Sequence, residues 1–234
     1  MQPNVSLAET AKFDALAGRW WDPAGPMAPL HRMNPARTGW IAERIARRFG
    51  RLDVRLVDVG CGAGIAAEAL AAQGARVLGI DAAGAALAAA RDHAAGRRLS
   101  LDYREATAET LAEEGARFEV VTALEVIEHV PDPAEFLRSL ARLVEPGGLV
   151  FVSTINRTAR SLLLAKIGAE YVMRLLPAGT HDWRAFVTPE ELASGLRGAG
   201  LRPADMAGLI RDPFTGDWRT GRDLRMNYLA MAEA

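Results

Sequence analysis

The stretch Leu56-Val57-Asp58-Val59-Gly60-Cys61-Gly62-Ala63-Gly64-Ile65-Ala66 constrains this chain more than any other. It begins as a buried strand, because Val54 to Val59 is nearly all apolar or β-branched. It turns through glycines at 60, 62 and 64 and continues as an Ala-rich helical run to about Gln73, where Gly74 stops it. Strand, glycine turn and helix form a corner where backbone N–H groups can approach a ligand that a Cβ would block. A second strand, Arg76-Val77-Leu78-Gly79-Ile80, ends in Asp81. An acid about 20 residues past the first glycine is placed to accept from ribose hydroxyls.

The glycine order separates two nucleotide classes. A dinucleotide loop reads G-x-G-x-x-G/A. Gly60 and Gly62 fit it, but Ile65 stands third and Gly64 falls one residue early. Asp58 precedes the first glycine by two residues. An acid there can accept from an ammonium, or hold the turn through its N–H groups. Asp58 with Gly60-Cys61-Gly62-Ala63-Gly64 resembles the S-adenosylmethionine (SAM) loop of class I methyltransferases, whose cofactor has a cationic amine and no pyrophosphate.

At 234 residues one α/β domain is expected. Lys plus Arg is 28 against 29 Asp plus Glu, so there is no basic excess of the kind nucleic acid demands. The single cysteine, Cys61, excludes an intrachain disulfide and fits a reducing compartment. Its bland role is a small filler in the turn. No secretory signal and no transmembrane helix are read.

Along the chain, Glu9 to Gly18 reads as helix and Pro26 to Pro35 as irregular. Thr38 to Phe49 reads as an amphipathic helix, with Trp40, Ile41, Ile45 and Phe49 near one face. The Trp20-Trp21 pair is core or flap packing, or an apolar wall over a ligand. Arg37 is either a solvated surface arginine or a clamp for a carboxylate. Helix over 83–95, strands at 99–104 and 118–124, a helix from Asp132 or Pro133 to about Val144, and a strand at 149–154 follow. Glu145 to Gly148 is a sharp turn. Thr188-Pro189-Glu190-Glu191 starts a helix with a capping box. Two late strands close the chain, at 206–210 and 226–232. The β-α alternation predicts a doubly wound, mostly parallel sheet, with ligands beyond the strands' carboxyl ends. Gly60, Asp81 and Leu124 fall at such ends, Leu124 against a flat apolar group.

Glu125, Glu128 and His129 follow the fourth strand at spacing i, i+3, i+4, which on a helical turn shares one face. Two carboxylates and an imidazole suit Mg²⁺, Mn²⁺ or Zn²⁺. His129 is also a candidate general base, with Glu128 beside it as a second catalytic candidate.

The chain as a whole resembles the ubiquinone-biosynthesis O-methyltransferases. The resemblance rests on Phe13 with Arg19-Trp20-Trp21-Asp22, on Leu30 to Arg37, on the Asp58 to Gly62 loop and on Glu128 to Pro133. It continues through Pro146-Gly147-Gly148, Gly168-Ala169-Glu170-Tyr171, Gly179-Thr180-His181-Asp182 and Asn227-Tyr228. Ala63 and Leu124 depart from it, where glycine and methionine are common. It implies a seven-stranded sheet with one antiparallel strand, and SAM contacts at Arg37, Gly60, Asp81 and Leu124. It also implies a divalent cation on Glu125, Glu128 and His129. The implied substrates are polyprenyl-hydroxyphenols and demethylubiquinols, with other proteins of the pathway as further partners. Competing readings are an NAD-dependent oxidoreductase, a methyltransferase of another small hydroxylated aromatic, and a noncatalytic scaffold.

Residues 157–186 form an insertion too long for an ordinary αβ loop, after an N-terminal cap over about 1–50. Lys166, Glu170 and Arg174 recur every fourth position and leave an apolar face opposite. The expectation is a cytoplasmic enzyme docked peripherally on the inner membrane through 157–186, which doubles as a lid.

Overall fold

The computed structural model describes residues 4–158, 161 and 185–234. Five strands, β1 (Arg55–Val59), β2 (Arg76–Asp81), β3 (Leu101–Glu105), β4 (Phe118–Leu124) and β5 (Val144–Ile155), pair in parallel in the order β3-β2-β1-β4-β5. The sheet continues as β8 (Asn227–Glu233), β6 (Arg202–Arg211) and β7 (Trp218–Gly221), each antiparallel to its neighbour. The strand order reverses between β1 and β4, which opens a crevice at their carboxyl ends. The expected seven-strand frame is present. Edge strand β7 is an eighth strand the sequence reading lacked, so two strands rather than one run against the parallel set. Its Trp218 packs on the core beside helix α2, a tertiary gain invisible in a four-residue segment.

Neighbouring strand residues point to opposite faces. Both faces are covered over the central strands β1, β4 and β5, which are therefore largely apolar, whereas edge strands β3 and β7 carry exposed polar residues. Leu56, Val77, Phe151 and Leu229 meet helices α2 (Ala28–Phe49), α3 (Ile65–Ala72) and α4 (Gly84–Ala94) on one face. Val57, Ile80, Val121 and Val152 meet α6 (Pro133–Leu143) and α7 (Pro189–Gly198) on the other, with short helix α5 (Ala108–Glu113) at the margin. Helix α7 carries the capping box that its sequence predicted, and α6 starts at its expected position with Asp132 as N-cap. Asp132 accepts from Glu135 N at 3.0 Å, and Thr188 and Glu191 form the capping box.

The two largest boundary differences from expectation are at the starts of α2 and β5. Helix α2 starts at Ala28 and runs through Pro35, where an irregular segment was expected. Pro35 removes one backbone donor, but Met33, Asn34, Arg37, Thr38, Trp40 and Ile41 are all buried along this helix, and that packing outweighs one lost bond. Strand β5 begins at Val144, ahead of the predicted turn. The turn persists inside it. Gly147 has φ +77°, and the pairing jumps from Phe118↔Val144 to Val120↔Leu149.

Helix α1 (Leu7–Asp14) and a 3₁₀ turn at Ala17–Arg19 precede α2. Most of the 157–186 insertion lies outside the described residues, as do the Gly168–Tyr171 and Gly179–Asp182 motifs.

Candidate active site

The glycine turn after β1 is held from two sides. Gly60 N and Cys61 N donate to Ile80 O at 2.8 and 3.0 Å. Asp81 accepts from Gly62 N at 2.7 Å on one carboxylate oxygen and from Ala83 N at 2.8 Å on the other. Burial pushes the Asp81 carboxyl up, and these amides pull it back. A carboxylate has about four lone-pair sites, so Asp81 can hold the loop and still accept from ribose hydroxyls. Asp58 does not bind the turn. It is 2% exposed and accepts from Thr122 Oγ1 at 2.6 Å. Burial raises its pKa to about 6 against the pull of Thr122 and Arg37.

The paired tryptophans seat on this loop. A Cβ at Gly62 would stand 2.4 Å from Trp20 Cζ2, and one at Gly60 would stand 2.6 Å from Val126 Cγ2. Trp21 Nε1 donates to Ala63 O at 3.0 Å, and the Trp21 ring stacks on His93 with centroids 3.3 Å apart. Asn34 Nδ2 donates to Ile65 O at 2.8 Å. The Trp-Trp pair stood out in the sequence, but nothing there said which loop it meets. Asn34 appeared only within the Leu30 to Arg37 resemblance, and Thr122 had no signal that could be read without its partner.

Arg37 lies inside α2 and is 3% exposed, so the surface-arginine reading is overturned. Its Nε donates to Asn34 Oδ1 at 2.9 Å, and its charge faces Glu125 and Asp58. Burial lowers its pKa, and those two carboxylates raise it again. Burial and the neighbouring Asp58 and Asp81 push the Cys61 thiol up, which disfavours the thiolate a nucleophile requires.

Glu125, at φ +59°, precedes a 3₁₀ turn over Ile127–His129 rather than an α-helix. In 3₁₀ geometry i and i+3 eclipse and i+4 is displaced, so the single-face argument fails for the histidine. Ser153 Oγ donates to Glu125 at 2.7 Å, and Thr154 Oγ1 donates to Glu128 at 2.8 Å. His129 Nδ1 lies instead 2.9 Å from Glu9 Oε2. Among the described residues no group of three or more His, Cys, Asp and Glu is arranged to hold a metal. Burial and the neighbouring Glu125 push Glu128 up to about 8. Leu124 closes β4 at 8% exposure. The carboxyl ends of β1, β2 and β4 thus hold several acids around one buried arginine, a setting that favours a cationic ligand with one carboxylate.

A family model described as a methyltransferase domain matches residues 31–205. A Pseudomonas aeruginosa protein named ubiquinone biosynthesis O-methyltransferase is 49% identical over 98% of this chain and 98% of its own. A Methylobacterium sp. protein of the same name is 46% identical over 99% of this chain and 96% of its own. The chain belongs to the ubiquinone biosynthesis O-methyltransferases. It is a SAM-dependent O-methyltransferase, and this match overturns the oxidoreductase reading. Solved structures agree on the fold alone. A SAM-dependent methyltransferase from Thermotoga maritima, described as a possible histamine N-methyltransferase, has a TM-score of 0.61 at 17% identity, over 96% of this chain and 99% of that one. The methyltransferase in a Haloferax volcanii Trm112 complex reaches 0.67 at 22% identity, over 95% and 97%.

Proposed function

We propose that this O-methyltransferase moves the SAM methyl group to a phenolic oxygen of a polyprenyl-substituted hydroxyphenol or demethylubiquinol. The near-full-length likeness to proteins named for O-methylation in ubiquinone biosynthesis carries this reading. Methyl transfer from labelled SAM to a short-chain demethylubiquinol tests it.

In this reading Arg37 takes the SAM carboxylate and Asp58 the amine. Asp81 takes the ribose hydroxyls, the Gly60–Gly62 backbone lies along the methionine part, and Leu124 covers the adenosine. The phenolic oxygen attacks the methyl carbon in line, the O–C bond forms, and the C–S pair leaves on sulfur. A phenol with a pKa near 10 must lose its proton as it attacks, and the His129 imidazole accepts it. Burial and the neighbouring Glu125 hold the Glu128 carboxyl up, and a cationic group beside it would favour its ionised form.

The carboxylates Glu125 and Glu128 fit an oxygen-seeking divalent cation. When both are ionised they are like-charged neighbours deep among protein atoms, a repulsion a cation would relieve. A carboxylate pair suits Mg²⁺ or Mn²⁺ better than Zn²⁺, and such an ion when bound would lower the pKa of a coordinated phenol.

No helix among the described residues is long and apolar enough to cross a membrane. A polyprenyl tail resides in a bilayer, so the enzyme reaches it by peripheral docking at the cytoplasmic face of the inner membrane. Residues 157–186 are the docking and lid segment in this reading. Arg157 pairs with Glu191, and in this reading Arg160, Lys166 and Arg174 meet anionic headgroups, at about 1 kcal/mol each. The wild type should sediment with anionic liposomes at low salt, and Leu163→Glu/Ile167→Glu should stay in the supernatant. Equal sedimentation of both would remove 157–186 from the docking role.

Asp58 sets a pH dependence with two opposite signs. Its folded pKa, about 6, lies above the ordinary 3.8. The folded apo protein therefore binds more protons than the unfolded chain between about pH 4 and 6, and this group adds stability as pH falls through 6. A protonated Asp58 cannot pair with the SAM amine. SAM affinity should fall as pH drops below about 6, and Asp58→Asn should flatten that profile. Calorimetric titration from pH 5 to 8 reads both; an affinity that rises toward pH 5 would remove Asp58 from the amine.

A further inference from the structure

Glu9 and His129 are 120 residues apart in sequence, yet Glu9 Oε2 meets His129 Nδ1 at 2.9 Å. One turn further along α1, the Phe13 ring meets the imidazole edge-on, with centroids 5.3 Å apart at 90°. Positions i and i+4 share a helix face, so α1 brackets the imidazole with a carboxylate at one nitrogen and an aromatic ring against the side. The helix is pinned at both ends. Asn4 exchanges two hydrogen bonds with the backbone of Asp132, at 2.7 and 2.8 Å, where α6 begins. Asp14 accepts from Ala85 N at 3.0 Å, where α4 begins. Between these anchors α1 spans the crevice from the end of β2 to the end of β4. Lys12 also bonds Glu9, at 2.6 Å. Burial raises the Glu9 carboxyl, but Lys12 and His129 outweigh it, so Glu9 is an anion at neutral pH.

We propose that Glu9 is a positioning residue for His129: its carboxylate accepts the Nδ1–H bond, fixing the imidazole tautomer and ring plane, so that proton transfer from the phenol falls to Nε2. The inference rests on the reading of His129 as proton acceptor. A hydrogen bond at one ring nitrogen decides which tautomer is present. Without an acceptor at Nδ1 the ring can carry its proton on Nε2, where it blocks acceptance from the phenol. The phenolic O–H proton passes to Nε2 as the O–CH₃ bond forms and the S–CH₃ bond breaks. The products are the aryl methyl ether, S-adenosylhomocysteine and an imidazolium facing the Glu9 carboxylate, so charge and atoms balance. The contact fixes a tautomer and needs no shift in the titration of the ring. Asn4 and Asp14 also hold α1 in place, so removal of this one bond should act on turnover rather than on the fold.

The test compares Glu9→Ala and Glu9→Gln with wild type in steady-state methyl transfer, and follows His129 by ¹⁵N NMR. Wild type should show Nδ1 protonated and Nε2 as acceptor. Glu9→Ala should lose about 10–100-fold in kcat, a share of what a general base supplies, with KM for SAM within about twofold. Its His129 signals should move toward the Nε2–H form. Glu9→Gln keeps an acceptor oxygen, so it should keep the tautomer and much of kcat; it also serves if the alanine variant does not fold. Full kcat in Glu9→Ala, or unchanged His129 signals there, overturns the proposal. Turnover in His129→Gln reads the underlying base assignment separately: activity retained there sinks that assignment whatever the Glu9 variants do.

Discussion

Arg37→Ala should lose detectable SAM binding and about 3–5 kcal/mol of stability, the cost of breaking a buried charge arrangement by removing one partner. The magnitude follows from what Arg37 leaves behind. It is 3% exposed and its charge offsets those of Glu125 and Asp58. With it gone, those carboxylates sit in low dielectric facing Glu128 and must take up protons. Asn34 loses its donor as well, and Asn34 holds the start of α3 through Ile65 O. Arg37→Lys keeps the charge but not the planar fork, so it should restore stability more than affinity. Calorimetry with denaturant unfolding separates the two. Normal SAM affinity in Arg37→Ala would end its assignment to the SAM carboxylate.

Gly62→Ala should cut SAM affinity by more than about 100-fold, because two penalties fall on the loop at once. Its φ of +55° is a left-handed conformation that costs a side chain about 1–2 kcal/mol. The added methyl would stand 2.4 Å from a Trp20 carbon, and Trp20 is 6% exposed, so a packed indole must move. The shift should also appear in tryptophan fluorescence. Gly50→Ala is the control. Its φ is +68° but nothing lies within 4 Å of the new carbon, so it carries the conformational cost and leaves SAM binding intact. If Gly62→Ala binds SAM like wild type, the glycine turn is not the cofactor loop.

Features carried by a local pattern were legible. The glycine turn, Asp81 beyond β2 and the Thr188–Glu191 capping box are each written within a few residues, and each appears in the fold. Features that depend on a distant partner were not. The Trp20-Trp21 pair gives no sign that its rings seat on Gly62 and Ala63 some 40 residues on. Pro35 argued for a helix break because propensity sees one lost bond and not the buried α2 face. The Glu125–His129 spacing misled because i, i+4 geometry assumes an α-helix, and a left-handed residue followed by a 3₁₀ turn stands there instead. Glu9 had only local meaning, as an acid in the first turn of a short helix, until the fold brought His129 to it.

The most direct measurement is methyl transfer from isotopically labelled SAM to a short-chain demethylubiquinol, run with and without chelator alongside SAM calorimetry. The account predicts one labelled methyl per product on the phenolic oxygen, with S-adenosylhomocysteine formed in equal amount. Chelator should lower turnover and leave SAM affinity unchanged. SAM binding with no label in the product, or label on carbon rather than oxygen, would contradict it.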